Sequence, residues 1–167
     1  MKVIEHLLDM AKIDRGRVRL RWVSAAEGQL FANYIKELSG ELSELGPFDP
    51  SRYSLQLSAI ESVLNSPRVR WLIGMDRQVT ERGNVYSRKV DAAVFEQTLR
   101  TVCEAEYQNG LILELLRSGP KTVREISETT GIAVKDVSKR LVDVEKMGAA
   151  ELSGYEGCSP RFMRTAA

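Results

Sequence analysis

The side chains able to do chemistry in this chain are few and scattered. Cys103 and Cys158 are its two cysteines, 55 positions apart, and His6 is its one histidine. Zinc and iron–sulfur sites take thiolates in close pairs such as C-x-x-C, and neither cysteine has a local companion. Cys103 falls on the apolar face of a predicted helix, where a buried, inert thiol is expected. Cys158 falls in a predicted hairpin loop, where an ordinary loop cysteine is the first reading and an exposed, oxidisable thiol the second, with Arg161 the one nearby hint of activation. His6 shares the polar side of a helix with Lys2, Glu5, Asp9 and Lys12, a solvated face that offers it no nucleophile to activate. The sequence holds no G-x-G-x-x-G after a strand, no P-loop, no H-E-x-x-H and no G-x-S-x-G. A self-contained active site is not expected, and no catalytic, cofactor-binding or metal-ligating residue is assigned.

Binding is the better prospect, and two places offer it. Ser24–Gly28 follows the C-terminal end of a predicted strand and opens a helix, where open α/β sheets tend to bind ligands. Free N–H groups there suit an anion or a partner's carboxylate. Ser24 and Glu27 have the S-x-x-E spacing of a capping box, however, and the Glu27 carboxylate would then occupy the helix start itself. Trp22, Ser24 and Glu27 are therefore candidate partner contacts. Lys135 and Lys139 are the second set, directed outward from a predicted helix together with Asp136, Ser138 and Asp143.

Punctuation divides the chain into three segments that position these groups. The first, 1–46, reads as helix, strand, helix. Val3, Leu7 and Met10 with Ile4, Leu8 and Ala11 make a helical stripe, and Asp14–Arg17 breaks it. Val18, Leu20 and Trp22 then alternate with Arg19 and Arg21 as in a strand covered on one face. The capping box starts the next helix, whose buried face is expected at Phe31, Tyr34, Ile35, Leu38, Leu42 and Leu45 before Gly46-Pro47 stops it. A single strand cannot satisfy its own edges, so this segment reads as part of something larger: a truncated α/β domain or a piece completed by a partner.

The second segment, 47–106, is expected to be a helical linker. Asp49-Pro50 and Ser66-Pro67 each place a capping side chain before a proline suited to the first helical position. Tyr53, Leu57, Ile60 and Leu64 give the first helix its face. Val69, Leu72, Ile73 and Val79 suggest a second, although Gly74 leaves a short strand at 69–73 open. Gly83-Asn84 reads as a turn, and a longer helix begins near Asp91 with Phe95, Leu99, Val102 and Cys103 inward.

The third segment, 107–167, has the order of a winged helix-turn-helix. Leu111, Ile112, Leu115 and Leu116 line its first helix, and Thr122 with Glu125 caps the second. Val134, Val137, Leu141 and Val144 line the third. Ala149–Leu152 and Arg161–Met163 would be the wing strands. Motif order points to DNA, yet 107–167 holds nine basic residues against eight acidic, and a DNA reader needs a basic face. The fold class expected is thus mainly α with a small α/β part: an incomplete α-β-α unit, a helical middle and a C-terminal winged helix.

Composition sets outer bounds. The 167 residues are 43% hydrophobic and 28% charged, enough to bury a core. With 24 basic residues against 23 acidic, no whole-chain electrostatic grip on nucleic acid or anionic membrane is expected. No apolar run approaches the roughly 20 residues that span a bilayer. The N-terminus reads as a helix, not a signal peptide, and two unpaired cysteines suit a reducing, cytoplasmic setting.

His6-Leu-Leu-Asp9, the run from Arg17 to Ala32, Glu37-Leu38 and Leu45-Gly-Pro47 together resemble the C-terminal part of one family. This is the iron–sulfur (delta) subunit of methyl-viologen-reducing hydrogenases, also found with heterodisulfide reductase. The resemblance implies membership of an anaerobic electron-transfer complex. In that family a [2Fe–2S] cluster relays electrons from a hydrogenase or other donor to a flavin-bifurcating heterodisulfide reductase. The family's cluster cysteines precede the region matched, so no cluster ligand is carried over to this chain. Two arrangements would account for that. One is a reading frame split upstream, at an in-frame selenocysteine codon, with Met1 an internal methionine or new start. The other is a separate subunit completing a cluster-bearing partner. The leading expectation is a non-catalytic component that docks with a reductase-type flavin/iron–sulfur subunit and a hydrogenase or other donor. The alternative is a winged-helix transcription regulator.

Overall fold

Val3, Leu7 and Leu8 at helical spacing form α1 (Lys2–Met10), with Leu7 and Leu8 buried along with the following Ala11 and Ile13. The Asp14 carboxylate accepts from the Gly16 N–H at 2.7 Å and tightens Arg15–Arg17 into a single 3-10 turn. The Arg15 guanidinium pairs back onto Asp9 in α1. Helix α2 (Gly28–Leu45) follows and stops at Gly46, whose φ of 71° suits glycine. The computed structural model describes residues 1–83 and 86–165, and the chain separates into two units, Met1–Tyr53 and Ser54–Ala167. No described helix is long and apolar enough to cross a membrane.

Three expectations for the first unit need correction. Val18–Val23 does not form a strand, because a strand exists only through ladder bonds to a neighbour and this unit supplies none. The expected α-β-α unit is therefore two helices joined by an irregular segment. The α2 helix begins at Gly28, four residues after Ser24, and Glu27 stands at its N-cap without a side-chain cap bond. Its expected buried face is not buried: no residue of α2 is, and Phe31 and Ile35 remain 56% and 51% exposed.

In the second unit, α3 (Ser54–Asn65) follows a 3-10 turn at Pro50–Tyr53. Asp49 fixes that turn by accepting from the Ser51 N–H at 3.0 Å and its hydroxyl at 2.6 Å. The α3 face that is buried runs through Ala59 and Val63, one residue round from the predicted Ile60 and Leu64; Leu64 is exposed. Ser66 caps α4 (Pro67–Arg77) with proline at its start, so 69–73 is helix and not strand. A π-helical turn at Gln78–Arg82 follows. The turn read at Gly83-Asn84 lies partly outside the described residues.

Asp91 caps α5 (Ala92–Leu115) by accepting from the Ala93 and Val94 N–H groups at 2.9 and 3.2 Å. This one helix runs straight through the expected boundary at 106–107. Its inward residues Phe95, Val102, Cys103, Tyr107, Leu111 and Ile112 are buried. The α3 and α5 backbones approach closely at Gly110, where a Cβ would lie 3.1 Å from the Ala59 Cα.

Beyond α5 come β1 (Lys121–Thr122), α6 (Val123–Thr130), α7 (Val134–Lys146), β2 (Ala150–Glu156) and β3 (Ser159–Arg164). The strands form a three-stranded antiparallel sheet in the order β1-β3-β2, with Leu152 opposite Phe162 and a bulge before Gly154. The two-residue β1 was not anticipated. The Thr122–Glu125 capping box is complete in both directions, and Val137, Leu141 and Val144 of α7 are buried. Val134, expected on the same core, is 54% exposed at the first turn of α7.

Candidate functional site

Arginine alternation decides how the segment after α1 lies. It runs alongside α2 in the opposite direction, held at three points by arginines on one row. Arg17 donates to the Leu45 and Gly46 carbonyls at 3.0 and 3.1 Å, meeting the unpaired, partly negative C-terminus of α2. The same guanidinium sits 5.3 Å from the centre of the Phe48 ring, which stacks on Tyr53. Arg19 pairs with Glu41 at 2.8 Å, and Arg21 lies over Tyr34.

With the arginine row turned onto α2, the alternate row faces water. Val18 and Leu20 are exposed and Trp22 is 87% exposed. Beside them, Arg21, Val23, Phe31, Tyr34, Ile35 and Leu38 line a shallow cleft with a volume of about 140 Å³. That is too small for an ordinary small-molecule site of roughly 300–1,000 Å³, and suits one or two inserted side chains. Phe31 and Ile35 of the cleft, and Leu20 and Trp22 on the outward row, are exposed apolar side chains of the kind that marks protein interfaces when they are covered by a partner.

The sequence-derived contacts resolve differently. Trp22 is exposed on the outward row and is not among the residues lining the cleft. Ser24 and Glu27 engage one another, because the Glu27 carboxylate accepts from the Ser24 N–H at 2.8 Å. The Ser24 hydroxyl accepts from the Ala26 N–H at 3.2 Å and not from that of Glu27, so half of the capping box forms as a turn ahead of the helix. These bonds hold the turn before α2 and leave the helix start itself without a side-chain cap. Lys135 and Lys139 are exposed on α7 in the second unit, with Asp136 beside them and Asp143 paired to Arg140 at 3.1 Å. Sequence reading missed the role of Arg17 and Phe48, for which the signal was an arginine two positions before another in a segment followed by a helix and Gly-Pro-Phe.

The two cysteines stand in different elements and environments. Cys103 is buried within α5, where burial first and then Glu106 push its thiol above its ordinary value. Cys158 is exposed between β2 and β3. Among the described residues no three His, Cys, Asp or Glu side chains are grouped to hold a metal.

Residues 1–46 match the family described as methyl-viologen-reducing hydrogenase, delta subunit, which agrees with the resemblance read from the sequence. Over 47 residues, 28% of this chain, the sequence is 43% identical to a subunit of the ferredoxin:CoB-CoM heterodisulfide reductase of Methanosarcina mazei, covering 6% of that protein. It is 40% identical over 47 residues to the iron-sulfur subunit of an F420-non-reducing hydrogenase of Archaeoglobus profundus, covering 34% of that protein. A CoB-CoM heterodisulfide reductase subunit of Methanosarcina acetivorans is 40% identical over the same length, with 6% covered. The chain therefore spans a minor part of each of these relatives. No solved structure matches it.

Proposed function

We propose that this chain is a non-catalytic component of an anaerobic electron-transfer complex of the hydrogenase and heterodisulfide reductase type, serving in assembly and docking. The observation that carries the reading lies within the family-matched residues: α2 has no buried residue, Phe31 and Ile35 on it are exposed, and so is Trp22 in the segment before it. A helix with an apolar stripe is stable when something covers that stripe. The partners in this reading are a reductase-type flavin/iron–sulfur subunit and a hydrogenase or other donor subunit, which keep the [2Fe–2S] group; the chain alone holds none. The C-terminal elements act as a winged helix used for protein contact.

Affinity purification of the full chain at low salt tests this. A reductase-type subunit should co-purify with the wild type, and Trp22→Ala combined with Ile35→Asp should cut its recovery at least tenfold while helicity is kept. Equal recovery with the double variant would remove the docking surface from the account, and recovery of no such subunit would remove the complex.

A second reading, a DNA-binding regulator, is favoured by the order helix, short strand, helix, helix, hairpin over α5 to β3. It requires specific DNA binding that falls steeply with salt and with Lys139→Glu. The near balance of charge in 107–167 and the Asp136 carboxylate on α7 weigh against it.

A further inference from the structure

The near neutrality of the whole chain conceals a local excess. Between Ser66 and Val90 stand six basic residues (Arg68, Arg70, Arg77, Arg82, Arg88, Lys89) and two acidic ones (Asp76, Glu81). The remaining residues carry 18 basic against 21 acidic, by difference from the totals of 24 and 23. Of this charge, α4 and the π turn after it carry Arg68, Arg70, Arg77 and Arg82 against Asp76 and Glu81, and Arg88 and Lys89 follow beyond Gly83.

The helix divides this charge by face. Val69 is fully buried, and Arg68 reaches across to Glu106 on α5 at 3.6 Å. On one exposed side of the helix, at spacings i, i+1, i+4 and i+7, lie Arg70, Trp71, Gly74 and Arg77. Trp71 is 64% exposed. Arg77 has only an exposed partner, Glu81 one turn on, at 3.1 Å, a pair that water and salt screen. Gly74 is a poor helix former in mid-helix, and nothing lies within 4 Å of where its Cβ would be. The packing of α4 gives no reason for it. What it leaves is a flat spot of backbone with the indole on one side and a guanidinium on the other. The π turn closes this region off, with Gln78 Nε2 donating to the Gly83 carbonyl at 3.1 Å and the Val90 N–H to the Val79 carbonyl at 2.9 Å. Such turns recur at functional sites.

We infer that the open face of α4 docks an acidic segment of a partner protein, with Trp71 as the inserted anchor and Arg70 and Arg77 facing carboxylates. Charge complementarity selects an acidic occupant, and an exposed tryptophan flanked by arginines is the composition of an interface hot spot. The small surface over Gly74 lets the partner's chain come close beside the indole. The inference rests on the docking reading only in that the chain works within a complex; it concerns a different surface from Trp22 and Ile35.

The test places the photoreactive residue benzoylphenylalanine at position 71 of the full chain, expressed in its own cell, and maps the cross-linked peptide. The expected product is a peptide of another protein with more Asp and Glu than Lys and Arg. Arg70→Glu should weaken that complex at least tenfold at low salt, with the difference shrinking at about 0.5 M salt, as screening requires. Trp71→Ala should weaken it at both salt concentrations. A cross-link to nucleic acid, to a neutral or basic peptide or to this chain itself would overturn the inference, as would recovery of the chain with no cross-link. Loss of binding by the Trp22 and Ile35 variant with normal cross-linking at 71 would leave this inference standing. The reverse would leave only the N-terminal surface.

Discussion

Arg19 and Glu41 meet at 2.8 Å across 22 positions of sequence, and that pair sets which row of the segment faces solvent. With Arg17 and Arg21 on the same row, it turns Val18, Leu20 and Trp22 outward. The polar row is satisfied within the unit, whereas the apolar row is left for something else to cover.

Backbone amides of the segment should report this directly. Arg19–Val23 have no backbone hydrogen bonds of their own among the described residues, so they should exchange with solvent quickly in the isolated chain. Amides of α5 around Ile112 should exchange slowest. Hydrogen exchange followed by mass spectrometry checks both, and uniform protection across Arg19–Val23 in a monomer would contradict the first.

Two glycines should respond oppositely to alanine. At Gly110 the new methyl would meet the Ala59 backbone at 3.1 Å, and backbone cannot step aside. The α3–α5 contact should loosen at a cost of about 1–3 kcal/mol, outweighing the better helix propensity of alanine. At Gly74 there is open space, so alanine should stabilise by up to about 1 kcal/mol. Urea denaturation of the two variants distinguishes them by sign.

Leu141 and the α7 lysines should likewise separate. Leu141 is buried in the C-terminal core, and Leu141→Ala should cost about 2–5 kcal/mol through the cavity it leaves. Lys135→Glu and Lys139→Glu alter exposed positions and should stay within about 0.5 kcal/mol of wild type. Thermal melts resolve the contrast.

Acid should act through Glu125. Its carboxyl is held below its ordinary value of 4.5 by the Thr122 N–H first and the Thr122 hydroxyl second. A depressed folded-state value means the contribution is present above the unfolded value and is lost as pH falls through the folded one. Glu125→Gln should therefore flatten the stability profile below about pH 4.5 and change its slope little near neutrality. Denaturation midpoints measured from about pH 3 to pH 7 check this.

Where a local signal also had a local cause, the sequence was readable. Thr122 with Glu125, Ser66 with Pro67, and Asp91 before α5 each satisfy backbone groups within one turn, and each stands where its spacing put it. The α7 stripe was legible for Val137, Leu141 and Val144 because period and burial coincide there. What failed depended on partners elsewhere. Val18–Val23 alternates like a strand but no neighbouring strand bonds it. The α2 stripe has helical period but no covering layer, so period alone misstated its burial. The break at 106–107 follows the motif order of the third segment, whereas Tyr107, Asn109 and Gly110 simply continue the helix. For the candidate site, the alternation of arginine with apolar residues was visible, but which row would face water was decided by Glu41, Tyr34 and the end of α2.

The unbroken run of α5 has a mechanical meaning. At 1.5 Å per residue its 24 residues make a rod of roughly 36 Å. Helices α3 and α4 pack against it, with Ala59 on Gly110 and Ser66 and Arg68 on Glu106, and α6 and α7 of the sheet-bearing end pack against the same rod. A load applied at the Trp71 face is therefore carried along a stiff lever, not absorbed at a joint. The α4 end and the β2–β3 hairpin turn together, so whatever grips one of them aims the other.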